Sequence, residues 1–130
     1  MAQGDYYAKV PRPESLEVVR RSLARHNAVS DYKEVSAQVY EIFRTRKSTV
    51  TLYVTNVYTV GVADVQEIIE EHPSVTCILT VSAWNGYTGQ AKEYAKSIGV
   101  SLFKYKEWMG ALNYDGDAFL DYIAPSDREK

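Results

Sequence analysis

The chain has 130 residues, with 15 Lys and Arg, 17 Asp and Glu and a formal charge of -2, a length that fits one domain. With 45% hydrophobic and 25% charged residues it reads as globular, not disordered. A single cysteine excludes an intramolecular disulfide framework and a Cys-based zinc cluster, while no apolar run approaches the roughly 18 residues of a spanning helix.

The N-terminal MAQGDYYAKVPRP carries no signal-peptide apolar stretch, so a soluble, cytoplasmic protein with no membrane partner is expected. Charge is uneven. Residues 1–50 hold nine Lys and Arg against six Asp and Glu, a balance of +3; residues 51–130 hold six against eleven, a balance of -5. A basic first half favours phosphate or an acidic partner, so nucleic acid reached through these residues is one expected partner. Solvated helix faces and ends account for Arg20, Arg21, Arg25, Arg44, Arg46 and Lys47 without one.

Residues 1–12 read as an extended lead-in, because Pro11 and Pro13 disfavour helix in their predecessors. A single α/β domain is expected over 13–124 and a polar tail over 125–130. The first helix runs from Pro13 to about His26, with Leu16, Val19 and Leu23 on one stripe. Ser30 and Asp31 offer capping oxygens to a second helix ending near Arg44, on which Tyr32, Val35, Val39 and Ile42 recur at helical spacing. Thr49–Thr55 alternates and is rich in β-branched residues, which predicts a strand. Tyr58–Val60 fits either a short return strand or a loop. A helix from Val62 to His72 carries Val65, Ile68 and Ile69 on one face. Val75–Val81 is an unbroken apolar run, as in a strand covered on both faces. After a loop over Ser82–Tyr87, Thr88 caps a helix with Ala91, Tyr94, Ala95 and Ile98 on one side, and Gly99 stands where a helix terminates in left-handed conformation. A strand over Val100–Tyr105 and short helices over Glu107–Leu112 and Asp117–Ile123 complete the chain. From Thr49 to Tyr105 strand and helix alternate, which predicts a three-layer α/β fold: a mainly parallel central sheet with helices on both faces.

The stretch ILTVSAWNGYTGQAKEYAKSIGVSLFKYKEWMGAL resembles the C-terminal half of a restriction-endonuclease-like domain of the Mrr- and Holliday-resolvase-related kind. Thr88, Ala91, Ala95, Gly99, Val100 and Leu102 fall where that pattern has its capping residue, its sheet-facing alanines and its Gly-hydrophobic turn. The likeness spans about residues 49–112. It implies metal-dependent phosphodiester cleavage, in which an Asp and a Glu-x-Lys (or Gln-x-Lys) on adjoining strands hold a divalent cation such as Mg²⁺. Here Tyr53 and Thr55 stand where the acid and the lysine would sit. The nearest literal matches, Gln90-Ala-Lys92 and Lys104-Tyr-Lys106, lie on later elements. The resemblance therefore implies a degenerate domain without catalytic residues or cofactor, acting as a nucleic-acid-associated or protein-interaction module. The alternative is a small metal-dependent nuclease using Mg²⁺ at a migrated site built from Asp64, Glu67 and Lys92.

No GxxxxGK[ST], GxGxxG, HExxH, GxSxG or CxxC occurs. His26 and His72 fall near helix ends, as caps do, and Cys77 sits in an apolar strand as a buried thiol. Ligands of open α/β sheets bind beyond the carboxyl ends of strands. Asn56, Ser82, Trp84, Asn85, Tyr87 and Thr88 gather there and form the candidate binding rim. Eleven tyrosines also suit an association surface, so a homo-oligomer is a further expected partner.

Overall fold

A computed structural model describes residues 10–124. Most of the expected lead-in and all of the expected polar tail lie outside that range. Helix α1 (Pro13–Arg25) opens on Pro13, whose missing N–H costs nothing in a first turn. It is followed by β1 (Val29–Glu34), β2 (Val39–Arg44), β3 (Lys47–Thr55), β4 (Thr59–Val60), α2 (Val62–Glu71), β5 (Cys77–Thr80), β6 (Gly86–Tyr87), α3 (Gly89–Ser97), β7 (Ser101–Lys104), α4 (Tyr105–Ala111) and α5 (Gly116–Leu120).

The main sheet has the order β1-β2-β3-β5-β7, and β4 pairs with β6 in a separate two-stranded ribbon. β3, β5 and β7 are parallel neighbours, with Leu52 opposite Cys77 and Cys77 opposite Ser101. β1, β2 and β3 instead form an antiparallel meander. The class is α/β, but the expectation of a mainly parallel, three-layer sheet is overturned: the sheet is mixed.

The difference arises in one segment. Residues 29–44, expected to continue from a cap at Ser30 and Asp31 as a helix, form the β1–β2 hairpin. Tyr32, Val35, Val39 and Ile42 do recur at helical spacing, yet they do not all lie on one face. Val39 packs with Tyr53 and Ile68 on one side of the sheet, Ile42 with Val19 and Leu52 on the other, and Val35 stands 53% exposed at the turn. Val39-Tyr-Glu-Ile-Phe is dense in β-branched and aromatic residues, and packing on two sheet faces overrides a single apolar stripe. Arg44, Arg46 and Lys47 accordingly close a hairpin, with Arg46 at φ 62°, and not a helix.

Strand alternation divides the core in two. Tyr40, Ile42, Leu52, Cys77, Leu79 and Phe103 face α1, α4 and α5 with Val19, Leu23, Trp108, Ala111 and Phe119. Val39, Tyr53, Ile78 and Leu102 face α2 and α3 with Val65, Ile68, Ala91 and Ala95. The small alanines let α3 approach the sheet closely.

Arg44 fastens the hairpin to the C-terminal elements. Its guanidinium is buried and donates to the Ser48, Leu112 and Tyr114 carbonyls and to Asp115 Oδ1, at 3.0 Å from the last. The Ser48 backbone N–H and hydroxyl also donate to Asp115, and these bonds, chiefly the backbone one, hold its carboxyl below the usual carboxylate range. Asp115→Ala leaves a buried cation without its counter-ion, and a loss of about 3 kcal/mol in urea-unfolding stability is expected. Because the folded carboxyl titrates below its ordinary value, its contribution is present above that value and lost as pH falls beneath it. The wild-type advantage over Asp115→Ala should therefore shrink in acid and persist at pH 7.

Candidate functional site

The carboxyl ends of β3 and β5 form a rim from Thr55 to Asn56 and from Thr80 to Asn85. Asn56 Oδ1 accepts from Ser82 Oγ at 2.5 Å and from Asn85 Nδ2 at 2.9 Å. Asn85 Nδ2 also reaches Thr80 Oγ1 at 3.0 Å, and that hydroxyl donates to the Val57 carbonyl at 2.7 Å. The Gly86 N–H donates to the Tyr58 carbonyl and the Thr88 N–H to that of Val60, which zips β4 to β6. Asn56, Ser82 and Asn85 thus satisfy each other and clamp the two loops together. They are the frame of the rim, not its contact surface.

Thr88 Oγ1 accepts from the Ala91 N–H at 3.0 Å and caps α3, as its position predicts. Trp84, by contrast, is 73% exposed, and Tyr58, on the adjoining loop, is 66% exposed. Sequence reasoning misses Tyr58 because its segment fits strand or loop equally. Its place two residues beyond Asn56, at a strand end, is the signal that could have found it.

Tyr87 turns inward. Its hydroxyl donates to Glu107 Oε1 at 2.9 Å and Oε2 at 2.7 Å, while Oε1 also accepts the Lys104 N–H. Glu107 is 2% exposed and Lys92 7%. Lys92 Nζ donates to the Leu102 carbonyl and lies 5.0 Å from the Tyr87 ring centroid and 4.5 Å from that of Phe103. Burial drives the Lys92 ammonium below the ordinary lysine value, and nearby Glu107 offsets part of the shift. No sequence motif marks this buried pair. Helical spacing from Ala91 and Ala95, which are sheet-facing, is the only hint that Lys92 sits at the same interface.

A cleft of about 240 Å³ opens beside the rim, lined by Gln38, Tyr53, Thr55, Val57, Asp64, Glu67, Ile68 and Glu71, with Val10 at its edge. Asp64 and Glu67, named from the sequence, share it. Lys92 does not, since it lies between α3 and β7. Asp64 Oδ2 also accepts the Gly61 N–H at 2.9 Å, where it serves the start of α2. Among the described residues no group of three His, Cys, Asp or Glu side chains could hold a metal ion.

His26 accepts the Ala28 N–H at Nδ1 and donates from Nε2 to the Met109 carbonyl, a structural link between α1 and α4. His72 lies against the Tyr53 ring. Cys77 is fully buried, which pushes its thiol pKa up and removes it as a nucleophile. Among the described residues no helix is long and apolar enough to cross a membrane. Comparison with known proteins finds no matching family model, no matching curated protein and no matching solved structure.

Two outcomes are expected here. Glu107→Ala removes an acceptor of the Tyr87 hydroxyl and of the Lys104 N–H, together with the carboxylate that favours the buried Lys92 charge, and should lower urea-unfolding stability by about 3 kcal/mol. The Lys92 effect has the same pH sense as that of Asp115 but falls in the alkaline range. Its folded value is depressed, so its burial penalty is complete below that value and is relieved as pH rises towards 10.5. Wild-type stability should therefore rise relative to Lys92→Met between neutral and alkaline pH.

Proposed function

We propose that the chain is a non-catalytic protein-interaction module whose contact surface is the rim, with Trp84 and Tyr58 as its anchors. The carrying observation is that both rings stand more than half exposed on loops held rigid beneath them by the Asn56, Ser82, Asn85 and Thr80 network. Large aromatics on a fixed base gain much by being covered and lose little side-chain entropy in the process.

The resemblance to restriction-endonuclease-like domains supports the non-catalytic part of this reading. Tyr53 and Thr55, which stand where that family has an acid and a lysine, line the cleft beside the rim. Asp64, Glu67 and Glu71 put carboxylates along the same cleft, which repels phosphate and favours a partner segment with Lys or Arg beside an apolar residue. Two of the basic residues that would favour nucleic acid are already engaged: Arg44 in the fold, and Arg20 with Tyr40 and Glu34.

Selection of a random peptide display library on the full chain tests this. Enriched peptides should combine basic and aromatic or aliphatic residues, and should lose most of their binding to Trp84→Ala/Tyr58→Ala. That variant should keep the wild-type circular-dichroism spectrum and melting temperature, because both rings are exposed. Peptides that bind wild type and variant equally would sink the rim reading. Salt-dependent quenching of Trp84 fluorescence by single-stranded DNA or RNA would instead favour a nucleic-acid module.

One observation favours the second reading, a nuclease at a migrated site: Asp64 and Glu67 do share a cleft. Metal-dependent cleavage of plasmid, single-stranded DNA or RNA that disappears in Glu67→Ala would establish it.

A further inference from the structure

We propose that the outer edge of β1 is a self-complementary association strand, which pairs antiparallel with β1 of a second copy about a two-fold axis at Tyr32. This inference is independent of the rim. β1 is the first strand of the sheet, and among the described residues no strand pairs with its outer side.

The direction of its backbone groups follows from the hairpin. The Val35 N–H donates to the Val39 carbonyl, so by alternation Lys33 and Asp31 address β2 while Tyr32 and Glu34 address the open side. The Tyr32 N–H confirms this direction. It points away from β2 and is taken by Asp31 Oδ1 at 2.8 Å.

An incoming antiparallel strand must therefore bond to Tyr32 and Glu34. Among two-fold registers that do so, the one centred on Tyr32 sets Asp31 of each copy opposite Lys33 of the other, at a closely spaced pair that exchanges no backbone bonds. A register centred on Asp31 sets Asp31 against itself, and one centred on Lys33 sets Lys33 against itself. Charge thus selects a single register. In that register the Tyr32 N–H passes from the Asp31 carboxylate to a carbonyl of the second copy, and the released carboxylate meets an ammonium. No donor is lost in the exchange. Asp31 and Lys33 are both exposed, and neither belongs to either core. Because the contact is isologous, each charge acts twice.

Sedimentation velocity of the full chain at low salt, from micromolar to millimolar concentration, tests the proposal. Wild type should self-associate reversibly. Asp31→Lys and Lys33→Asp should each weaken that association by about tenfold or more, since each turns two attractive pairs into repulsive ones. An equimolar mixture of the two variants should associate again. One variant then carries lysine at both positions and the other aspartate at both, so every facing pair across the two-fold is attractive. Lys33→Asp also faces Glu41 within its own hairpin, so a second pair guards against a failure to fold. Asp31→Cys mixed with Lys33→Cys should yield a covalent dimer on mild oxidation that neither forms alone, with Cys77 buried and inert. Trp84→Ala/Tyr58→Ala should leave association unchanged. Monomeric wild type at millimolar concentration, a charge-variant mixture that stays monomeric, absence of the covalent pair, or loss of association in the rim variant would each overturn the proposal.

Discussion

The burial of β5 is the constraint on which the remainder of the molecule depends. Cys77, Ile78, Leu79 and Thr80 are all buried, with Cys77 and Leu79 in one core and Ile78 in the other. Backbone groups so enclosed must find partners in the neighbouring strands, because water is out of reach. β3 and β7 supply them in parallel. Parallel pairing then requires helical crossovers, which α2 and α3 provide, and it brings the carboxyl ends of the strands out at one end of the sheet. The rim, the cleft and the buried Lys92 and Glu107 all lie at or near that end for this reason.

The antiparallel half answers a different demand. β1 and β2 extend the sheet on the side of β3 away from β5; α1 covers one face, where Leu23 and Val19 meet Tyr40 and Ile42, and on the other Val39 of β2 still packs with Ile68 of α2. Arg44 ties this half to the C-terminal elements through three carbonyls and one carboxylate. A guanidinium suits that task better than an ammonium, because its planar fork reaches several acceptors at once. At the other end Lys92 has one carbonyl and two aromatic faces. Its single acceptor and greater ease of deprotonation make it the more pH-responsive of the two buried cations.

Legibility in the sequence followed the physics of each segment. The apolar run at Val75–Val81, the Thr88 cap, the alanine spacing of α3 and Gly99 at φ 78° each carry a local signal that tertiary structure did not contradict. Residues 29–44 were illegible because a three- and four-residue apolar spacing competes there with β-rich composition, and only the two-faced sheet decides between them. At the rim, polar residues beyond the strand ends were identifiable as a group. Their mutual hydrogen bonding was not, so residues that build the frame could not be told from those that are presented. Tyr87 illustrates the difficulty: an aromatic in a loop reads as exposed until a buried carboxylate twenty residues later is seen to hold it.

The bond from Lys92 to the Leu102 carbonyl has a consequence for assembly. Ser101 donates to Thr76 across β5, so the carbonyl of Leu102 addresses the side of β7 away from the sheet. The lysine therefore occupies an acceptor that an added strand would need, and a buried ammonium is a strong obstacle to edge-on growth. Among the described residues the sheet has one blocked boundary, at β7, and one unpaired boundary, at β1. Two copies joined through β1, as proposed, would leave only the blocked β7 edges outward, and such an association would close at a pair without propagating into a fibre.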